Sequence, residues 1–183
     1  MSSYLNSIKK QFGYYKLLGD KTFEQLNDQD IHWQLNEDSN SVSIIVKHIV
    51  GNLLSRWTNF LTEDGEKQWR ERDQEFEDTY LNKEALIAAW EKGWQCLFNA
   101  LESLTNKDLE HIIYIRNQGH TVTEAINRQL SHYAYHIGQI VFVGKMIKNE
   151  NWKSLSVPKG QSSTYNKEKF SKDKERKHFT DDL

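Results

Sequence analysis

The 183-residue sequence has one cysteine, one proline and no apolar run long enough to cross a bilayer. Each scarcity excludes something. Cys96 alone cannot form an intrachain disulfide, which points to a reducing compartment. Met1 to Lys10 mixes polar and apolar residues instead of running from basic to apolar, which argues against export, so a cytoplasmic location is expected. Charge of one sign is also missing. The 24 Lys+Arg against 26 Asp+Glu leave a formal net charge of −2, which speaks against a general nucleic-acid binder. Proline is the main interior breaker of helices, and the only one here, Pro158, lies near the end of the chain.

What is present is helical periodicity. Tyr4, Ile8, Phe12, Tyr15, Leu18 and Thr22 recur at three- and four-residue steps and predict a helix from Ser3 to about Gln25. After a polar loop, Ser41 or Ser43 can cap a second helix to about Leu61. Its apolar arc holds Val42, Ile45, Ile49, Leu53, Trp57 and Phe60, with His48, Asn52, Ser55 and Asn59 in a polar stripe beside it. Residues 62–81 are charge-dense and read as a long crossover pinned by Trp69, Phe76 and Tyr80. With such a crossover, the second and third helices need not be neighbours. Asn82 can cap a third helix through Leu104. Between Leu109 and Val122 the β-prone Ile112 to Ile115 and the turn-like Arg116-Asn117-Gln118-Gly119 predict a short hairpin. Thr121 and Glu124 then fit a capping box for a fourth helix to about Asn149. The expected fold is all-α, a four-helix bundle over residues 1–165, followed by a charged, flexible tail over 166–183.

Chemistry enters with His132-Tyr-Ala-Tyr-His136. Residues four apart on a helix project from one side, so the two imidazoles can converge on an ion. Tyr133 stands where a zinc-protease HExxH motif has glutamate, and no Glu-x-x-His pair occurs within the four expected helices (the one such spacing, Glu175 to His178, lies in the charged tail), so a standard zincin and a ferritin-like di-iron site are both excluded. His48 borders its own helix's apolar arc as His136 does, so three imidazoles can meet at the bundle's edge. Three protein ligands leave a fourth position open, the pattern of a catalytic zinc site. Gln129 lies close to His136 on the wheel and suits an outer partner. Arg56, Arg70 and Arg72 can hold a substrate carboxylate or phosphate, or form an ion-pair face with Glu63, Asp64, Glu71, Asp73 and Glu75; the ion-pair face is the expected form. Asn52, one turn after His48, points the same way. His32, His111, His120 and His178 lack ligand spacing, and Cys96 reads as a structural thiol.

A histidine in the second helix, the TVTEAI helix start and HxxxHxGQI resemble the DinB-like superfamily, which includes YfiT-type thiol transferases. The stretch from Ser43 to Phe76 and the later SVPKGQSSTYN are similar to a bacterial branch of it known as a domain of unknown function. The resemblance covers about residues 1–166. It implies a four-helix bundle, often homodimeric, with a divalent metal ion, zinc or nickel, on His48, His132 and His136. It further implies a small-molecule substrate or thiol, with no nucleic-acid or membrane partner. Some members join low-molecular-weight thiols to electrophiles, the cation favouring thiolate; activation of water for hydrolysis is the chemical neighbour. The other reading is a metal-binding protein without catalysis, serving assembly, sensing or stress response. Asn52, Arg56 and Gln129 are the candidates for touching substrate.

Overall fold

In the computed structural model, which describes residues 3–182, long helices form where the three- and four-residue apolar spacing runs uninterrupted. They are α1 (Ser3–Phe23), α2 (Val42–Trp57), α3 (Lys83–Ser103) and α4 (Val122–Lys148), with a short α5 (Ser162–Phe170) after the bundle. Met1, Ser2 and Leu183, at the edges of the expected domain and tail, lie outside the described residues.

The helix starts follow local capping chemistry. Ser41 Oγ accepts from Ile44 N at 3.2 Å, and Asn82 Oδ1 accepts from Ala85 N at 2.9 Å. Thr121 and Glu124 form the reciprocal capping box of α4, at 3.1 and 2.8 Å. α2 ends at Trp57, short of Leu61, because Asn59 adopts the left-handed conformation (φ 49°) that stops a helix. The hairpin pairs β1 (Ile112–Ile115) with β2 (Gln118–Thr121) in antiparallel register, Ile112 opposite Thr121.

The apolar faces of the four long helices enclose one core. Phe12 of α1 lies among Trp57, Trp94 and Tyr133, with ring centroids 6.1, 6.4 and 5.9 Å away. α1 packs on α4, and α2 packs on both α3 and α4. α2 and α3 are thus direct neighbours despite the crossover between them. Gly93 permits their approach, since a Cβ there would stand 3.0 Å from Leu53 Cδ1.

The crossover, residues 58–82, is fastened differently from its sequence expectation. Trp69 and Phe76 are about half exposed. Three of its charged residues are buried instead, Lys67, Arg70 and Glu75 each retaining less than a tenth of their surface. Gly65 N donates to Tyr114 O at 2.8 Å, tying the crossover to β1, and Asp78 accepts from Ser41 and Ser43 at the start of α2. A carboxylate at that end meets the positive pole of the helix dipole. Among the described residues no helix is long and apolar enough to cross a membrane.

Candidate metal centre

α2 and α4 pack so that His48 meets the His132–His136 pair. The candidate ligand atoms of the three side chains all lie within 4.8 Å of one another. His132 Nε2 stands 3.3 Å from His48 Nε2 and 3.1 Å from His136 Nε2. Zinc–nitrogen bonds of about 2.0–2.1 Å in a tetrahedral arrangement put ligand nitrogens roughly 3.3–3.4 Å apart. The spacing therefore fits a single ion.

The outer nitrogens set which atoms face inward. Nδ1 of His48 lies 2.9 Å from Glu75 Oε2, and Nδ1 of His136 lies 2.7 Å from Gln139 Oε1. Each Nδ1–H donates to its oxygen, which leaves each Nε2 as a lone pair. Two acceptors thus converge on His132 Nε2, and one proton there can serve only one of them. Protonation does not resolve this arrangement. Burial, then the neighbouring histidines and arginines, push His132 down to about 3, and burial also lowers His136. Burial thus favours the neutral forms of His132 and His136, and the three rings turn toward one point, as a cation requires.

Sequence reasoning placed Glu75 in the ion-pair face with the arginines and missed its contact with His48. Glu75 lies 27 positions from His48, within a run of similar acids, and only docking of the crossover singles it out. Arg70 grips it in a fork, Nε to Oε1 at 2.7 Å and Nη2 to Oε2 at 2.9 Å. Burial by itself would raise the Glu75 carboxyl pKa; hydrogen bonds from His48 and Arg70, with their charges, outweigh it and lower the value. A Cβ on Gly51 would collide with this carboxylate, so α2 carries a notch one turn after Lys47. Phe76 stacks on the His48 ring at 5.5 Å between centroids and covers it from the solvent side.

Gln129, expected beside His136, lies instead near His132, and its Oε1 is buried without a partner. Gln139 takes the outer position; it belongs to the HxxxHxGQI stretch, one helical turn after His136. Asn52 is buried, and its Oδ1 accepts from Tyr133 OH at 2.9 Å, a hydroxyl that also accepts from Trp57 Nε1 at 3.1 Å. Arg56 is buried, donates to Gly65 O and pairs with Glu66 at 3.1 Å. The ion-pair face expected around the arginines exists in part, but it is buried where a solvated one was anticipated. Cys96 is half-buried, with Sγ 3.5 Å from Thr58 Oγ1. Two wider clefts, of about 660 and 680 Å³, lie between α1 and the C-terminal segment and do not adjoin the histidines.

Fold and site together define a helical bundle with a three-histidine cluster that could hold a metal ion. The chain belongs to the family described as "Protein of unknown function (DUF1572)", whose model matches residues 1–161. No curated protein matches it.

Proposed function

We propose that the chain is a DinB-like metalloprotein that holds a divalent ion, zinc or nickel, on His48, His132 and His136, and that it is a metal-dependent enzyme. The observation that carries this is the convergence of the Nε2 atoms, two of them fixed as lone pairs by Glu75 and Gln139. His48, His132 and His136 would hold the ion, which would supply the charge that lowers the pKa of a thiol or water brought to it, chemistry that suits S-transfer or hydrolysis.

The chain's own residues do the remaining work. Glu75, anchored by Arg70, holds the His48 ring in one tautomer and orientation; Gln139 does the same for His136. Phe76 shields the cluster on one side. Asn52, Arg56 and Gln129 line the space beside it, which supports the reading that they touch a small-molecule substrate. Three ligands support catalysis over a purely structural ion, since structural zinc is usually closed by four. A cytoplasmic homodimer belongs to the same reading, and Tyr135 and Phe142 on α4, each 63% exposed, provide apolar surface for it.

The decisive experiment is elemental analysis of protein purified without chelator, paired with His136→Ala. One equivalent of a divalent ion is expected in the parent and none in the variant, with nearly unchanged melting temperatures for the two metal-free proteins. A metal-free parent would end the metal reading. A loaded protein that turns over no model electrophile with any cellular thiol would end the transferase branch.

A further inference from the structure

Beside the histidine cluster, α2, the crossover, the hairpin turn and α4 enclose a cavity of about 170 Å³. Arg56, Arg70, Arg72, Arg116 and Arg128 all line it, and no apolar side chain does. Two carboxylates answer these five cations. Glu66 Oε2 lies 3.1 Å from both Arg56 and Arg116 and 3.6 Å from Arg70, while Glu75 takes the fork of Arg70. Arg72 and Arg128 enter no ion pair among the described residues. With the Asp64 carboxylate, which also acts on Arg56, five guanidinium groups less three carboxylates leave a local excess of two positive charges.

The buried members are also incompletely bonded. Arg56 and Arg70 are more than nine-tenths buried, yet Arg56 Nε makes no hydrogen bond and Arg70 Nη1 has only Glu66 Oε2, at 3.6 Å, too long for one. Buried polar groups are ordinarily satisfied, so two orphan donors in the wall of one cavity point to an acceptor that binds there. Arg116 sits in the two-residue turn between β1 and β2, and its guanidinium is held at the cavity by Glu66. It and Asn117 both take left-handed backbone, φ 56° and 60°, and the Asp64 carboxylate accepts both their N–H groups at 2.8 and 2.9 Å.

We propose that this cavity binds an oxyanion group, phosphate or carboxylate, held by arginines from four chain segments next to the three histidines. Guanidinium forks match the paired oxygens of either group. The volume is below the roughly 300–1,000 Å³ of pockets that engulf whole drug-sized ligands, so it takes a small anion or the charged end of a larger substrate. That the anion belongs to a substrate rests on the metal-centre reading; that an anion binds does not.

Calorimetric titration of the full-length protein with inorganic phosphate and, separately, with acetate tests the site, in low-chloride buffer and with metal content measured on the same samples. Saturable binding of one anion per chain is expected, and the tighter of the two identifies the group. Arg128→Gln and Arg116→Gln, both at exposed positions, should each weaken it about tenfold. Arg176→Gln in the C-terminal segment removes the same charge and should change nothing. The proposal is overturned if neither anion saturates at millimolar concentration, or if Arg176→Gln weakens binding as much as Arg128→Gln does. Anion binding in protein that takes up no metal would sink the metal reading alone; metal uptake without anion binding would sink this one alone.

Discussion

The crossover between α2 and α3 and the segment after α4 are both dense in Lys, Arg, Asp and Glu, yet they dock on the bundle by opposite means. The crossover turns its charges inward. Arg70, Glu75 and Lys67 are buried, and their partners are the site histidine, another crossover carboxylate and backbone oxygen. The C-terminal segment keeps its charges at the surface. Lys10 pairs with Asp181, and Asp182 pairs with Lys169 and Lys177, while Phe179 edge-on to Tyr14 at 5.2 Å and the Trp152 ring beside Gly144 of α4 supply apolar anchorage. An ion pair removed from water must be completed by its partners, or it destabilises the fold; one left in water is largely interchangeable with hydration. Equal composition therefore conceals unequal roles.

The largest expected break in this contrast comes from Glu75→Ala. It strands Arg70 without its fork partner and frees His48 Nδ1. Removing one member of a buried pair destabilises by about 3–5 kcal/mol, which urea unfolding at neutral pH will show. Loss of an outer partner should weaken metal binding by about 10–100-fold.

Acid separates the two regions by pH window. His132 has its pKa depressed to about 3 by burial, with the neighbouring histidines and arginines adding to it. An unfolded histidine titrates near 6.5, so between about 6.5 and 3 the unfolded chain binds the extra proton. That contribution to stability is complete above 6.5 and is lost as pH falls toward 3. Asp182 is lowered to about 2 by hydrogen bonds from Lys169 and then Lys177, so any contribution of its pairs to stability is complete above about 3.8 and is lost as pH falls toward 2. Metal-free protein should thus lose thermal stability from pH 6.5 downward, and His132→Asn should flatten that slope. A slope unchanged in the variant would show that the histidine is solvated.

Gly51→Ala tests the notch that admits Glu75. Alanine raises intrinsic helix propensity by about 1 kcal/mol, but its Cβ collides with the carboxylate. Metal affinity measured against a competing chelator should fall about tenfold, a softer version of the Glu75 loss. The smallest effect is expected from Asp182→Asn, with no measurable change in melting temperature at 0.15 M salt or in metal content. A clear loss there would mean that the C-terminal segment supports the bundle as the crossover does.

What was legible in the sequence is what depends on neighbours a few residues away. Caps at Ser41, Asn82 and Thr121, the hairpin before α4 and the one-sided placement of His132 and His136 follow from turn geometry and 3.6-residue periodicity. The meeting of His48 with that pair required a helix-packing choice that periodicity leaves open, and the family resemblance supplied it. The role of Glu75 at His48 was not legible, because Glu71 and Glu77 carry the same side chain nearby and only the docked backbone chooses among them. The same holds for Arg128, whose place on a polar helix face gives no sign of the cavity beneath it. The rings of the crossover misled for a related reason. Trp69 and Phe76 carry apolar area, but the buried salt bridges already fix the segment's path and leave those rings outside.

Gly51 has a consequence for anyone who would toughen this protein. Substituting alanine for an interior helical glycine is a standard route to thermal resistance, because it narrows the freedom of the unfolded chain. Here that route fills the space through which a carboxylate from a distant segment reaches a histidine. A heat-selected variant that chose alanine would keep its helices and lose the orientation of His48, a stable bundle with a disarmed centre.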